Sequence, residues 1–139
     1  MTRLSVLVAD DEDDIRTLVR GWLELAGHDV TCAATGTEGS ALAKGKTFDL
    51  VVTDILMPEG DGVGLIGELK KLQPATRVLA ISGGGRIIDG IDCLRIAQGL
   101  GAHAAVMKPF NREQFLAAMA QALALPAVSE ERRGWREKA

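Results

Sequence analysis

The sequence of 139 residues predicts one α/β domain, a doubly wound sandwich in which helices cover both faces of a parallel sheet. Two observations lead to this fold class. Short apolar runs without polar alternation recur along the chain, and stretches with helical spacing of apolar residues separate them. Because strands that are buried on both faces have continuous apolar runs, this β-α alternation, repeated five times, is typical of a parallel sheet with right-handed crossovers.

The apolar runs are the predicted strands. They lie at Leu4 to Ala9, Leu50 to Thr53, Val78 to Ile81 and Ala104 to Met107. A fifth run, Val30 to Ala33, is interrupted by Thr31 and Cys32. This mixed composition favours a strand at the edge of the sheet, where one side of the strand is less covered.

The predicted helices share apolar residues at spacings of three and four. These are Ile15, Leu18, Val19, Trp22 and Ala26 in the first helix, Leu65, Ile66, Leu69 and Leu72 in the third, Cys93, Ile96, Ala97 and Leu100 in the fourth, and Phe115, Met119, Ala122 and Leu123 in the last. Capping signals mark several boundaries: Thr35 with Glu38, Asn111 with Gln114, and Gly27 after the first helix. We also predict three aromatic core residues, which are Trp22, Phe48 and Phe115.

Composition and charge narrow the function classes. The net charge of −3 provides no basic face for a nucleic-acid backbone, and no signal peptide or membrane span is recognisable. Cys32 and Cys93 lack metal or redox spacing, and His28 and His103 are isolated, so a zinc site has little support. We expect a cytoplasmic domain over residues 1–125, followed by a charged and flexible tail over residues 126–139.

Polar side chains stand where four of the predicted strands end. They are Asp10 and Asp11 after the first strand, Asp54 at the end of the third, Ser82 after the fourth, and Lys108 with Pro109 after the fifth. Because the carboxyl ends of parallel strands meet at one edge of the sheet, where ligands bind in this class of fold, we expect these residues to lie together.

The residue types at this edge are those that Mg²⁺-dependent phosphoryl transfer requires. Three neighbouring carboxylates repel one another, and a hard divalent cation relieves that repulsion by accepting their oxygens as ligands. Mg²⁺ suits an open site better than Ca²⁺ because it needs only one or two carboxylates plus a phosphate oxygen. Asp54 can then act as nucleophile, Lys108 as fixed positive charge, and the Ser82 hydroxyl as a donor to the phosphoryl group.

This set of motifs resembles the receiver domain of bacterial response regulators in two-component signalling. The resemblance spans residues 4–124 and rests on V-L-V-A-D-D-E with its acid pair, D-I-L-M-P-E-G-D-G from Asp54 to Gly62, Ser82-Gly83 and Lys108-Pro109-Phe110. It implies a flavodoxin-like fold whose five strands have the order 2-1-3-4-5. It also implies phosphorylation of Asp54 and Mg²⁺ coordination by Asp11, Asp54, the Leu56 backbone carbonyl and, directly or through water, Asp10. Lys108 would pair with the phosphoryl group, Ser82 would respond to it, and the bond before Pro109 would be cis.

The function that the resemblance implies is that of a stand-alone response regulator. It would accept a phosphoryl group from a histidine kinase or a histidine phosphotransfer protein and signal through contact with an unknown protein target, without binding nucleic acid or membrane. It would catalyse only its own phosphorylation and dephosphorylation. Glu12, Asp13 and Asp14 are interpreted as solvated charges at the beginning of the first helix.

The sequence departs from the family pattern at three positions. Ala105 stands where many receivers have the Tyr or Phe of their conformational switch, so we hypothesise that the glycine-rich loop over residues 83–90 and the helix after it respond to phosphorylation instead. Leu56 and Gly84 occupy positions that affect hydrolysis of the acyl phosphate, and neither can position a water molecule. We therefore expect a longer phosphorylated lifetime than in fast chemotaxis-type receivers.

Three other classes of protein are alternatives to a phosphorylated receiver domain. A haloacid-dehalogenase type phosphohydrolase needs a second Asp two residues after its nucleophile as general acid, and Leu56 cannot transfer a proton. An EF-hand starting at Asp10 would need Gly and Glu where Ile15 and Gly21 stand. A receiver-like interaction module that is never phosphorylated is the remaining alternative, and the complete set of acidic, hydroxyl and lysine positions argues against it.

Overall fold

The computed structural model describes residues 3–55, 62–82, 95 and 97–124. Its elements are β1 (Ser5–Ala9), α1 (Asp13–Leu25), β2 (Asp29–Ala33), α2 (Gly36–Gly45), β3 (Leu50–Asp54), α3 (Gly62–Leu72), β4 (Arg77–Ser82), β5 (Ala104–Met107) and α4 (Arg112–Ala124). Residues 97–100 are also helical. The predicted positions Cys93 and Ile96, the loop over residues 83–90 and the tail over residues 126–139 lie outside the described residues, so the predicted domain boundary stays a prediction.

The five strands form one parallel sheet in the order β2-β1-β3-β4-β5. This confirms the predicted doubly wound, flavodoxin-like arrangement. β2 lies at one edge, as its mixed composition predicted, and β5 lies at the other. The central strand β3 is buried along its whole length, because helices cover the sheet on both faces.

Side chains that alternate along the strands divide the core into two layers. Leu7 and Val51 point into one layer, which Phe48 and residues of α2 and α3 complete. Val6 and Val52 point into the other, which α1, α4 and the fully buried Phe115 complete. Because alternate residues of a strand face opposite sides, β1 and β3 pack against helices on both faces. The backbone of the residues at the ends of these strands is therefore well fixed.

Capping explains where several helices begin and end. The Thr35 hydroxyl accepts a hydrogen bond from Glu38 N at 3.0 Å, and the Glu38 carboxylate accepts one from Ala34 N at 2.7 Å. Asn111 and Gln114 make the reciprocal pair before α4, at 2.8 and 2.9 Å. Gly27 follows α1 with a φ of 93°, a left-handed conformation that suits glycine. The predicted caps are confirmed.

None of the helices in the described ranges is long and apolar enough to cross a membrane. The longest of the helices whose bounds are given above, α1 and α4, have 13 residues each. A span of the hydrocarbon core takes about 20 residues, so both fall well short.

Candidate functional site

The polar residues at the carboxyl ends of the strands meet where the winding of the chain reverses, between β1 and β3. Asp10 directly follows β1, Asp54 is the last residue of β3, and Lys108 directly follows β5. Ala9 and Thr53, the residues before the two aspartates, are partners across the sheet. This position is the topological switch point, at which doubly wound sheets bind their ligands.

The ammonium group of Lys108 lies at the centre of three carboxylates. Its Nζ is 3.0 Å from Asp54 Oδ2 and 3.1 Å from Asp10 Oδ2, and it also pairs with Glu12 Oε1. The Lys108 side chain is 12% exposed, and those of Asp10 and Asp54 are 0% and 5% exposed. Because little water screens these charges, their mutual interactions are stronger than those of a surface ion pair.

Burial and the oppositely charged neighbours have opposing effects on the pKa values of Asp10 and Lys108. Burial raises the pKa of Asp10, and the charge of Asp54 adds to the rise, while a hydrogen bond from Glu12 N and the proximity of Lys108 oppose it. Burial by itself would lower the pKa of Lys108, but its hydrogen bonds to Glu12, Asp54 and Asp10 outweigh that effect and raise the pKa. Lys108 is therefore a permanent positive charge at neutral pH, beside three acidic side chains.

Glu12 is the site residue that sequence reasoning missed. It was interpreted as a solvated charge like Asp13 and Asp14, yet its carboxylate meets Lys108. Glu12 is the N-cap residue of α1, but its side chain makes no capping hydrogen bond. The signal that could have found it is its place directly beyond the acid pair, where the chain turns from β1 into α1.

The other predicted site residues have the following positions. Asp11 is exposed and lies outside the group of carboxylates that Asp10, Glu12 and Asp54 form. Ser82 ends β4, and its backbone carbonyl accepts a hydrogen bond from Lys108 N at 2.8 Å. The Lys108-Pro109 peptide bond is cis, as the resemblance implied. Leu56 and Gly84 lie outside the described residues.

The three carboxylates form a set of donors that fits a hard divalent cation. One oxygen from each of Asp10, Glu12 and Asp54 can be chosen so that all lie within 4.8 Å of one another. Asp10 Oδ2 is buried and, although it is near Lys108 Nζ, it accepts no hydrogen bond from the described residues; the Lys108 ammonium donates to Asp10 Oδ1 instead, at 3.4 Å. Carboxylate oxygens are ligands of the hard type that Mg²⁺ prefers, and one or two of them suffice because the ion keeps several waters.

An aromatic cluster supports the segment that carries Lys108. The ring of Phe110 lies 6.2 Å from that of Trp22 on α1 and 6.0 Å from that of Phe115 on α4, and the Trp22 and Phe115 rings are 5.7 Å apart. Aromatic pairs at these distances attract one another beyond the effect of their buried area. The cluster therefore joins α1 and α4 to the turn that follows β5.

Fold and site together define a class of protein: a doubly wound α/β domain with a buried aspartate, an acidic neighbour and a lysine at its switch point. The response regulator receiver domain model matches residues 6–120 of this chain. The chain therefore belongs to the response regulator receiver domain family, whose members are signalling modules of two-component systems.

Relatives and solved structures agree with this assignment. A response regulator described as NtrX-like from Rickettsia conorii is 31% identical over 133 residues, which are 94% of this chain and 27% of the relative. The DNA-binding transcriptional regulator NtrC of Azospirillum brasilense is 32% identical over 139 residues, with coverages of 94% and 28%. The structure of the chemotaxis protein CheY4 from Vibrio cholerae matches with a TM-score of 0.76 and 27% identity, over 88% of this chain and 100% of CheY4. The chain thus spans about a quarter of the two curated relatives and the whole of a CheY-type receiver.

Proposed function

We propose that this receiver domain accepts a phosphoryl group on Asp54 from a histidine kinase or a histidine phosphotransfer protein, in a Mg²⁺-dependent reaction, and signals through protein-protein contact. One observation carries the proposal: the Asp54 side chain is 5% exposed at the switch point, and its carboxylate lies 3.0 Å from the ammonium of Lys108. A nucleophile and a fixed positive charge are two of the parts that phosphoryl transfer needs.

The chemistry follows from the donor and the acceptor. A carboxylate oxygen of Asp54 attacks the phosphorus of a phosphohistidine, the new P–O bond forms, and the P–N bond breaks. The electron pair of that bond stays on the imidazole nitrogen of the donor. Lys108 offsets the charge of the phosphoryl oxygens, which gives the transition state a stabilising contact that water would provide less effectively.

We propose Asp10, Asp11, Asp54 and the backbone carbonyl of Leu56 as the groups that hold Mg²⁺. When bound, the cation neutralises charge on the phosphoryl oxygens as they pass between donor and acceptor. The acidic cluster and the buried Asp10 Oδ2 support the parts of Asp10 and Asp54 in this assignment. The parts of Asp11 and Leu56 rest on the resemblance to receiver domains. Ser82 is proposed to donate its hydroxyl hydrogen to the phosphoryl group, which supplies a contact that exists only after phosphorylation.

The proposal assigns no direct contact with nucleic acid to this chain. NtrC is a DNA-binding regulator, but the alignment covers 28% of it. On this chain the net charge is −3, and the basic side chains of Arg3, Arg16 and Arg20 are paired with acidic neighbours. Each of these pairs offsets a positive charge that could otherwise contact a phosphate backbone.

The test is incubation with acetyl phosphate and Mg²⁺, followed by intact mass measurement and peptide mapping. We expect a base-labile phosphoryl adduct on Asp54 that disappears in the Asp54→Asn variant and when the metal is chelated. Asp49→Asn is the matched control, because Asp49 is an aspartate before β3 at the opposite end of the same strand. An adduct that persists in Asp54→Asn, or no adduct in the unmodified chain, would contradict the proposal and favour a phosphorylation-independent interaction module.

A further inference from the structure

Glu12 occupies a position whose usual role it does not fulfil. N-cap residues are commonly Ser, Thr, Asp or Asn, whose side chains accept a hydrogen bond from the first turn of the helix. Glu12 makes no such bond, and its carboxylate pairs with Lys108 instead. Its backbone N–H donates to Asp10 Oδ1 at 2.8 Å. The turn between β1 and α1 therefore presents the Asp10 and Glu12 side chains to the same lysine.

The partners of Lys108 match its donors in number. An ammonium group has three N–H donors, and the structure gives the Lys108 ammonium three carboxylate partners, on Asp10, Glu12 and Asp54. Of these three carboxylates, the proposed reaction phosphorylates only that of Asp54. A phosphoryl oxygen carried by that same side chain can accept the donor that now meets Asp54 Oδ2, while the pairs with Asp10 and Glu12 stay in place.

We propose that Glu12 is a positioning residue that holds the Lys108 ammonium beside Asp54 before and after phosphorylation. The inference rests on the proposed function of Asp54. Lysine has a long side chain with many rotamers. If Asp10 were the only partner of the Lys108 ammonium besides Asp54, the ammonium would be less well fixed in position. Glu12 supplies the second fixed partner from a backbone segment that α1 and β1 hold in place.

The exposure of Glu12 limits the size of the effect. Its side chain is 56% exposed, whereas those of Asp10 and Asp54 are almost fully buried. Exposed ion pairs contribute little, so loss of this pair corresponds to a slower reaction by about fivefold rather than to abolition. A change of that size separates a positioning residue from the phosphoacceptor itself.

The experiment compares Glu12→Ala, Glu12→Gln and the matched control Asp14→Ala. Asp14 also provides an exposed carboxylate at the beginning of α1, and it is not one of the three carboxylates that meet Lys108 in the described ranges. The measured quantity is the rate of Asp54 phosphorylation by acetyl phosphate with Mg²⁺. We expect Glu12→Ala to be about fivefold slower than Asp14→Ala, and Glu12→Gln, which keeps a hydrogen-bond acceptor, to recover at least half of the loss.

A second readout needs no phosphorylation. The side-chain ammonium of Lys108 in the unmodified protein should give a slowly exchanging ¹H–¹⁵N signal, which Asp14→Ala retains and Glu12→Ala loses. Equal rates and equal ammonium signals in Glu12→Ala and Asp14→Ala, or no recovery in Glu12→Gln, would overturn the role of Glu12. Failure of the unmodified chain to form an Asp54 adduct would overturn the proposed function, while the ammonium signal still reports whether Glu12 holds Lys108.

Discussion

The two ends of strand β5 carry two buried basic residues in opposite electrostatic surroundings. Before the strand, His103 is 5% exposed, its Nδ1 accepts a hydrogen bond from Val78 N at 3.0 Å, and its backbone N–H donates to Val78 O at 2.8 Å. After the strand, Lys108 meets three carboxylates. The first group is bonded to backbone, which cannot change partner without unfolding, whereas the second is bonded to side chains, which can.

The charges around the two residues have opposite signs. Burial lowers the pKa of His103 to about 4, and the neighbouring Lys70 and Arg77 lower it further. At Lys108 the acidic neighbours raise the pKa despite burial. Burial of a basic side chain therefore does not identify a functional site by itself. What distinguishes the end that carries the proposed site is the set of exchangeable, oppositely charged partners.

The largest expected effect is on the rate of phosphorylation and concerns Lys108, at the carboxyl end of β5. Lys108→Ala should slow phosphorylation of Asp54 by acetyl phosphate by about a thousandfold, because it removes the fixed positive charge at the place where the phosphoryl charge arrives. Rapid-quench measurement of the Asp54 adduct checks this. Lys44→Ala, on the exposed face of α2, is the control that should keep the original rate. A rate within tenfold of the original would show that Lys108 is structural, as His103 is.

The next largest effect is a pH dependence of the free energy of unfolding, which arises from His103 at the amino end of β5. His103 binds a proton near pH 6.5 when unfolded and near pH 4 when folded, so the unfolded chain holds more protons between these values. The free energy of unfolding should therefore fall by about 3 kcal/mol as the pH decreases from 6.5 to 4 through this residue alone.

Urea unfolding of the original chain and of His103→Asn across this range measures the contribution of His103. Asn keeps a hydrogen-bond acceptor but does not titrate, so the difference between the two proteins isolates the histidine. The slope of stability with pH should be shallower in His103→Asn. Parallel curves for the two proteins would show that protonation of His103 is not coupled to folding.

The smallest effect concerns the aromatic cluster beside Lys108. Phe110→Leu keeps an apolar side chain but removes ring contacts to Trp22 and Phe115, and we expect it to reduce the free energy of unfolding by about 1 kcal/mol. Trp22 fluorescence can follow unfolding in a Trp135→Phe background. If Phe110→Leu leaves the unfolding midpoint unchanged, the aromatic cluster does not stabilise the Lys108 end of β5.

Much of the fold could be predicted because it depends on repeated, local patterns. Continuous apolar runs such as Leu50 to Thr53 indicated strands buried on both faces, and the caps at Thr35 and Asn111 lie where expected. The order of the strands came from the resemblance to receiver domains, because spacing along a chain does not specify which strands are neighbours.

The site was only partly predictable for a physical reason. Asp10, Asp54 and Lys108 come together because parallel strands end at one rim, which is a general rule. Glu12 and Asp14 are both acidic residues at the beginning of α1, and their acidic character alone does not separate them. Only the path of the chain between β1 and α1 places one against Lys108 and the other toward solvent.

The hydrogen bond from Lys108 N to Ser82 O has a mechanical consequence. It ties the end of β4 to the turn after β5, so the two residues whose side chains are proposed to contact the phosphoryl group are joined by a direct backbone hydrogen bond. The hydrogen bond is 2.8 Å long. Displacement of either segment would therefore have to move the other one as well or break this hydrogen bond.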